Sequence, residues 1–196
     1  VTSPTGPDEP PTVAEYLAAA GVEPTPITPD TAGAPVVSIT VPDGWRQMPA
    51  ENFAGTYGVW AQEPEDGWAD NVVVLMVRLS EPLDPAALLA CGFADARRLP
   101  QWRELDTHSG KFDGHPSAAI TGTYAVAPLT LWAYNRYVII DSADTQFLIQ
   151  LTITTRADHN GSDAAAIVAG LAITATTPQA PPPTVSLPDN GHNATR

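Results

Sequence analysis

Proline sets the layout of this chain. Of its 21 prolines, eight precede Val36, five follow Thr177 and eight are scattered over the long middle. Proline fixes φ and has no amide hydrogen, so dense clusters break both helices and sheet ladders. Pro4, Pro7, Pro10 and Pro11 sit among Thr, Ser, Gly and acids, a mixture with little to bury that favours extended polyproline II. The stretch from Pro178, with Pro181, Pro182 and Pro183, has the same character. The expected organisation is a flexible start over residues 1–11, a short capped helix with a proline-rich linker over 12–35, one folded domain over 36–177, and a mobile tail over 178–196.

The segment after the first cluster carries a helix signature. Thr12 and Glu15 are spaced as a capping box, in which the hydroxyl accepts from the third amide and the carboxylate reaches back to the Thr12 amide. Val13, Tyr16, Leu17 and Ala20 fall at i, i+3, i+4 and i+7 and form one apolar stripe. Gly21 suits the left-handed residue that ends a helix. About two turns is far below the ~12–15 residues at which an isolated helix is even marginal in water, so the stripe must dock. Val13, Tyr16 and Leu17 are the candidate interaction residues. The default expectation is docking on the chain's own sheet; exchange between two copies, giving a weak homodimer instead of a monomer, is the alternative. The linker 23–35, with four prolines, is stiff enough to carry the helix some distance from the body.

From Val36 the hydrophobic period changes to two. Val37, Ile39 and Val41 alternate with Ser38 and Thr40, and Pro42-Asp43-Gly44 ends this strand. Further strands are expected at 55–62 and at 71–79, where the run from Val72 to Val77 is apolar on both faces and so central and covered on both sides. Asp66-Gly67 between them is a hairpin signal. Asp84-Pro85 starts a helix as N-cap and first-turn proline, and Gly92 is expected to break or end it. Strands at 103–112, 116–126, 131–140 and 146–154 then form a meander, with a turn at Asp113-Gly114. A last helix begins near Ser162 or Asp163. Few strands alternate singly with helices, so the class is α+β with a mostly antiparallel sheet.

Composition excludes several functions. The 22 acidic and 9 basic residues leave a net charge of −13, and phosphate backbones are bound by clustered Lys and Arg, so no nucleic acid is expected as a partner. No apolar run reaches the ~18 residues of a membrane helix and no signal-peptide pattern is present; the chain starts at Val1 and not Met, so a processed form, with any export signal removed, is expected. One cysteine, Cys91, excludes an internal disulfide framework and multi-cysteine zinc sites; burial as a small apolar residue is its expected role. Arginine outnumbers lysine eight to one and Ala, Gly and Pro abound, a usage that fits a GC-rich bacterial source.

Candidate chemistry is thin. There is no glycine-rich phosphate loop, no nucleophile elbow and no H-E-x-x-H, and no cofactor is expected. His108 and His115 flank the Asp113-Gly114 turn near Asp106 and Asp113, the residue types of an open zinc set; surface histidines on a hairpin are the reading adopted. Asp106, His108 and Ser109 have hydrolase-triad types, but adjacent strand residues point to opposite faces, so His108 and Ser109 do not meet. Glu63, Glu65, Asp66 and Asp70 crowd one loop and are read as a solvated acidic tip, since their spacing is not that of a calcium loop. The five tryptophans are read as core, with Trp45 and Trp68 near turns and closer to the surface.

Three stretches carry a family resemblance. They are Thr12-Val13-Ala14-Glu15-Tyr16-Leu17 with Gly21-Val22, Asp30-Thr31-Ala32-Gly33-Ala34-Pro35, and the strand ending Pro42-Asp43-Gly44-Trp45. Over about residues 12–174 the chain resembles the LpqN-type lipoprotein family of mycobacteria. The proline-rich ends, without a lipidated N-terminal cysteine, point to the family's secreted, proline-rich antigens. The resemblance implies the PsbP/Mog1-like fold, a central antiparallel sheet with helices on both faces. It implies a non-enzymatic binding protein that is secreted, associated with the cell envelope and seen by the host as an antigen, its partner an envelope or host protein of unknown identity. No catalytic, cofactor or metal residues come with it. The alternatives are a carrier of an apolar envelope lipid and, less favoured, a hydrolase. An apolar pocket of ~300 Å³ or more selects the lipid carrier; converging Ser, His and acid select the hydrolase.

Overall fold

The structure is a computed structural model and describes residues 10–142, 145–159 and 161–174. The expected flexible start and tail lie outside these residues, except Pro10 and Pro11. Helix α1 (Val13–Ala20) begins with the capping box in full: Thr12 Oγ1 accepts from the Glu15 amide at 3.2 Å and Glu15 accepts from the Thr12 amide at 2.9 Å. Gly21 ends it at φ 69°, a conformation open to glycine at no steric cost. The chain then runs through β1 (Pro24–Pro26), β2 (Val36–Ile39), β3 (Arg46–Gln47), β4 (Gly58–Ala61), β5 (Asn71–Leu79), α2 (Pro85–Arg97), β6 (Arg103–Phe112), β7 (His115–Val126), β8 (Leu129–Ser142), β9 (Thr145–Arg156), α3 (Ala164–Ala169) and β10 (Leu171–Thr174).

The main sheet has the order β3-β4-β5-β9-β8-β7-β6, with every pair antiparallel. β5 uses one edge for β9 along its whole length; on the other edge β4 pairs with its first half and β1 with its last three residues. The two turns foreseen at Asp66-Gly67 and Asp113-Gly114 have positive φ at both positions, the geometry that matches the twist of a two-residue hairpin.

Register gives the sheet an apolar cluster on each face. Val72, Val74 and Met76 of β5, Val138 and Ile140 of β8, and Ile149, Leu151 and Ile153 of β9 point to one side, where α3 and the small β2–β10 sheet cover them. Tyr137 and Ile139, Leu148, Leu79 and Ala118 point to the other, under α2 and α1. The fold is α+β with helices on both faces.

Four local expectations need correction. Strand β2 leaves the main sheet and pairs with β10, an element too short to be seen in the sequence. On β5 Val72, Val74 and Met76 are fully buried on one side, whereas Val73, Leu75 and Val77 on the other are half-buried. The linker 23–35 does not hold α1 away from the body. Val22 and Ile27 are buried, β1 is laid on the edge of β5, and Ile27 donates to Met76 O at 2.9 Å. An edge position tolerates Pro24 and Pro26 because their missing amides face no partner strand. Finally, Gly92 sits inside α2 and does not end it. A Cβ there would stand 2.6 Å from two carbons of the Tyr137 ring, so the glycine is what lets helix and sheet touch.

Candidate functional site

Helix α2 is placed by its cap. Asp84 accepts from the Ala87 amide at 3.0 Å and Pro85 occupies the first turn. Leu88 and Cys91 then face the sheet, at 0% and 4% exposure, while Ala86, Ala90 and Phe93 follow one another along the opposite-leaning side. Between that side and strands β6 and β7 lies a groove of about 440 Å³. Pro85, Ala86, Leu89, Ala90 and Phe93 form one wall, Ser109 and Gly110 the other, and Pro116, Ser117 and Ala118 lie along the floor. Asp84 at one end is its one charged lining residue. Beyond Phe93, Arg97 reaches from α2 to Glu104 on β6, with Nε–Oε2 2.8 Å and Nη2–Oε1 3.2 Å. That ion pair, with Arg97 also stacked 5.5 Å from the Phe93 ring centre, ties helix to strand where the groove stops.

A second, polar groove of about 230 Å³ lies on the same sheet face, beside the C-terminal half of α2. Tyr124, Asn135, Gln150, Thr152 and Thr154 line it together with Asp95. Thr152 donates to Asn135 Oδ1 at 2.8 Å and Gln150 donates to Thr152 at 3.2 Å. Asp95 accepts from the Val13 amide at 3.2 Å and is also bonded by Tyr137. Burial pushes the Asp95 carboxyl up, and these hydrogen bonds oppose the rise. Burial, with Asp95 beside it, pushes the Tyr137 hydroxyl up.

The residues singled out in the sequence are distributed as follows. Leu17 is 4% exposed and packs with Leu79, Leu88, Tyr137 and Leu148; Val13 and Tyr16 are half-buried on the same cluster, and Ala20 is exposed. Arg98 donates to Glu15 at 2.7 Å and helps hold α1 on α2. The stripe is thus spent on the chain's own body. His108 pairs with Ala119 and His115 with Phe112, and no group of three His, Cys, Asp or Glu forms a metal set among the described residues. Ser109 faces the apolar groove while His108 lies on the other face, so no triad assembles there. Cys91 is buried and its Sγ donates to Ala87 O; burial raises its thiol.

Two expectations fail here. Asp70 is not part of a solvated tip: at 6% exposure it accepts from the Arg156 amide at 2.9 Å and lies 2.7 Å from Nδ1 of His159. Trp45 is not near the surface but 7% exposed, its indole donating to Asp163 at 2.8 Å. Both depend on partners about 90 or more positions away, a separation that no local pattern encodes. The apolar groove was likewise missed, because α2 is apolar on two sides and its stripes blur into one another.

Known proteins were then compared with this architecture. The sequence profile of the family described as probable lipoprotein LpqN matches residues 9–174. The chain belongs to this family. A proline-rich 28 kDa antigen homolog of Mycobacterium leprae is 30% identical over 151 residues, covering 75% of this chain and 54% of that protein. A putative lipoprotein LpqT of Mycobacterium tuberculosis is 34% identical over 168 residues, covering 82% of this chain and 73% of that protein. The chain therefore spans about half the length of the antigen it matches. Among solved structures, LpqN of Mycobacterium tuberculosis, described as involved in cell envelope biogenesis, superposes with a TM-score of 0.77 at 23% identity, covering 86% of this chain and 99% of that one. Mog1 and a cyanobacterial PsbP are more distant structural neighbours, at TM-scores of 0.48 and 0.44. The relatives are, by name, mycobacterial lipoproteins and antigens, which associates the family with the cell envelope.

Proposed function

We propose that this LpqN-family chain is a non-enzymatic binding protein acting at or outside the cell envelope, and that it holds the apolar chain of an envelope lipid in the groove beside α2. The observation that carries the reading is the groove itself. Its 440 Å³ falls within the ~300–1,000 Å³ usual for small-ligand sites, and its helix wall is Pro, Ala, Leu and Phe, facing Ser109 and Gly110, with a single carboxylate in the lining. An acyl chain laid there removes apolar surface from water at roughly 25 cal/mol per Å². Among the described residues its lining brings no histidine to Ser109, Ser117 and Asp84. The envelope setting is supported by the relatives' names, and secretion and antigenicity by the proline-rich antigens among them.

The test is displacement of a fluorescent fatty acid. Ala90→Trp places an indole in the groove on an exposed helix position and should abolish saturable binding while leaving the melting temperature near that of the parent. Binding that survives Ala90→Trp would place the ligand elsewhere and refute the assignment.

A further inference from the structure

Three arginines among the described residues are half-buried: Arg98, Arg136 and Arg156. Arg98 pairs with Glu15, and Arg156 pairs with Asp66 and Asp158. Arg136 has no carboxylate partner among the described residues. Its Nε donates to the Tyr134 hydroxyl at 2.7 Å and its Nη1 to Ser117 Oγ at 3.0 Å. Its Cζ lies 4.8 Å from the Phe112 ring centre and 5.7 Å from that of Tyr134. The guanidinium is therefore fixed in direction and partly desolvated beside two rings, without a carboxylate to balance its charge among the described residues. A charge-assisted contact to an anion is open to it, and in a chain of charge −13 the omission of a carboxylate stands out.

A second nitrogen group stands beside it. Ala119 is paired with His108 on β6 and with Arg136 on β8, so the three form one row on one face of the sheet. Ala119, between the two longer side chains, is buried at 4% exposure. The imidazole of His108 leans along its own strand over Gly110, with Nε2 3.3 Å from the place a Cβ would occupy. Gly110 is paired with Ser117, the residue that holds Nη1 of Arg136. His108 thus inclines along β6 toward the Gly110–Ser117 pair, on whose serine Nη1 of Arg136 rests, and away from Asp106, two residues back on the same face.

We propose that Arg136 and His108 form a binding site for a phosphate group. The Nε side of the fork, which serves planar carboxylates, is taken by Tyr134. What remains is Nη2 and the second hydrogen of Nη1, with the imidazole on the same face of the sheet, which suits a tetrahedral oxyanion with several acceptor oxygens. The side chains of His108 and Arg136 lie on the sheet face opposite the apolar groove, back to back with it across Gly110 and Ser117.

The experiment is a titration of the full chain with inorganic phosphate, followed by the side-chain 15N resonances of Arg136 and His108 at constant ionic strength. A saturable shift of both is expected. Arg136→Lys keeps the charge but not the fork and should weaken binding about tenfold or more, the scale of a charge-assisted hydrogen bond; His108→Ala, an exposed position, should weaken it several-fold with no change in melting temperature. Phosphatidylglycerol vesicles, with phosphatidylcholine as control, separate the sources. Co-sedimentation lost in Arg136→Lys assigns the phosphate to an anionic lipid headgroup, whereas phosphate binding without co-sedimentation assigns it to a soluble ligand. Absence of a saturable response in the parent, an equal response to acetate, or undiminished binding by Arg136→Lys would overturn the proposal.

Discussion

Gly92→Ala sets two effects of known size against each other. In a helix interior alanine is favoured over glycine by about 1 kcal/mol, so from α2 alone the substitution should stabilise. The added Cβ, however, would sit 2.6 Å from Cδ2 and Cε2 of Tyr137 and 2.9 Å from Cζ. Tyr137 is 1% exposed and its hydroxyl is tied to Asp95, so the ring cannot swing aside, and α2 must lift instead. Overpacking of this kind costs about 1–3 kcal/mol, and the contact distance puts it in the upper half of that range. The net expectation is a loss of about 1–2 kcal/mol. At roughly 2–4 °C per kcal/mol for a chain of this size, the melting temperature should fall by several degrees. Urea denaturation of a double-mutant cycle checks the cause. In a Tyr137→Leu background, where the ring edge is gone, the same Gly92→Ala step should be neutral or stabilising by up to about 1 kcal/mol. A stabilising Gly92→Ala in the parent, or an equal loss in both backgrounds, would refute the close-contact reading.

Other expectations follow from the docking of α1 and from the histidines. Leu17→Asp puts a charge into a site 4% exposed; it should release α1, expose the segment 23–35 to limited proteolysis and cost several kcal/mol, while an unchanged digestion pattern would contradict the docking. The Arg98 hydrogen bond, then the Thr12 amide, hold Glu15 at about 2, below its ordinary 4.5. Its folded value is depressed, so its contribution is present above the unfolded value and lost as pH falls from 4.5 toward 2; the stability gap between parent and Glu15→Gln should close over that window in acid titrations followed by circular dichroism. Zinc or calcium should leave the melting temperature unchanged; a saturable rise that vanishes in His108→Ala with His115→Ala, or in Asp66→Ala, would show that those side chains converge after all.

How much of this was legible depends on distance along the chain. The capping box at Thr12 and Glu15, the Gly21 stop, the Asp84-Pro85 start and the two aspartate-glycine hairpins are local chemistry, and each stands where its residues put it. The meander strands follow from period-two runs with tight turns. What stayed hidden rests on contacts between distant segments. Gly92 looks like a helix breaker until Tyr137 is seen against it. Pro24 and Pro26 look like a spacer until an unpaired stretch of the β5 edge is available to receive them. Asp70 looks like one more surface acid until His159 and the Arg156 amide close on it. The candidate site suffers in the same way: alanines 86 and 90 are unremarkable in sequence and become a groove wall once β6 and β7 lie opposite.

Native mass spectrometry of the protein isolated without denaturation from its own source tests the central claim most directly. The account predicts a one-to-one complex whose added mass is that of an acyl-bearing lipid and is absent when Ala90→Trp is isolated in the same way. A parent protein that carries no ligand, or an Ala90→Trp protein that carries the same one, would contradict it.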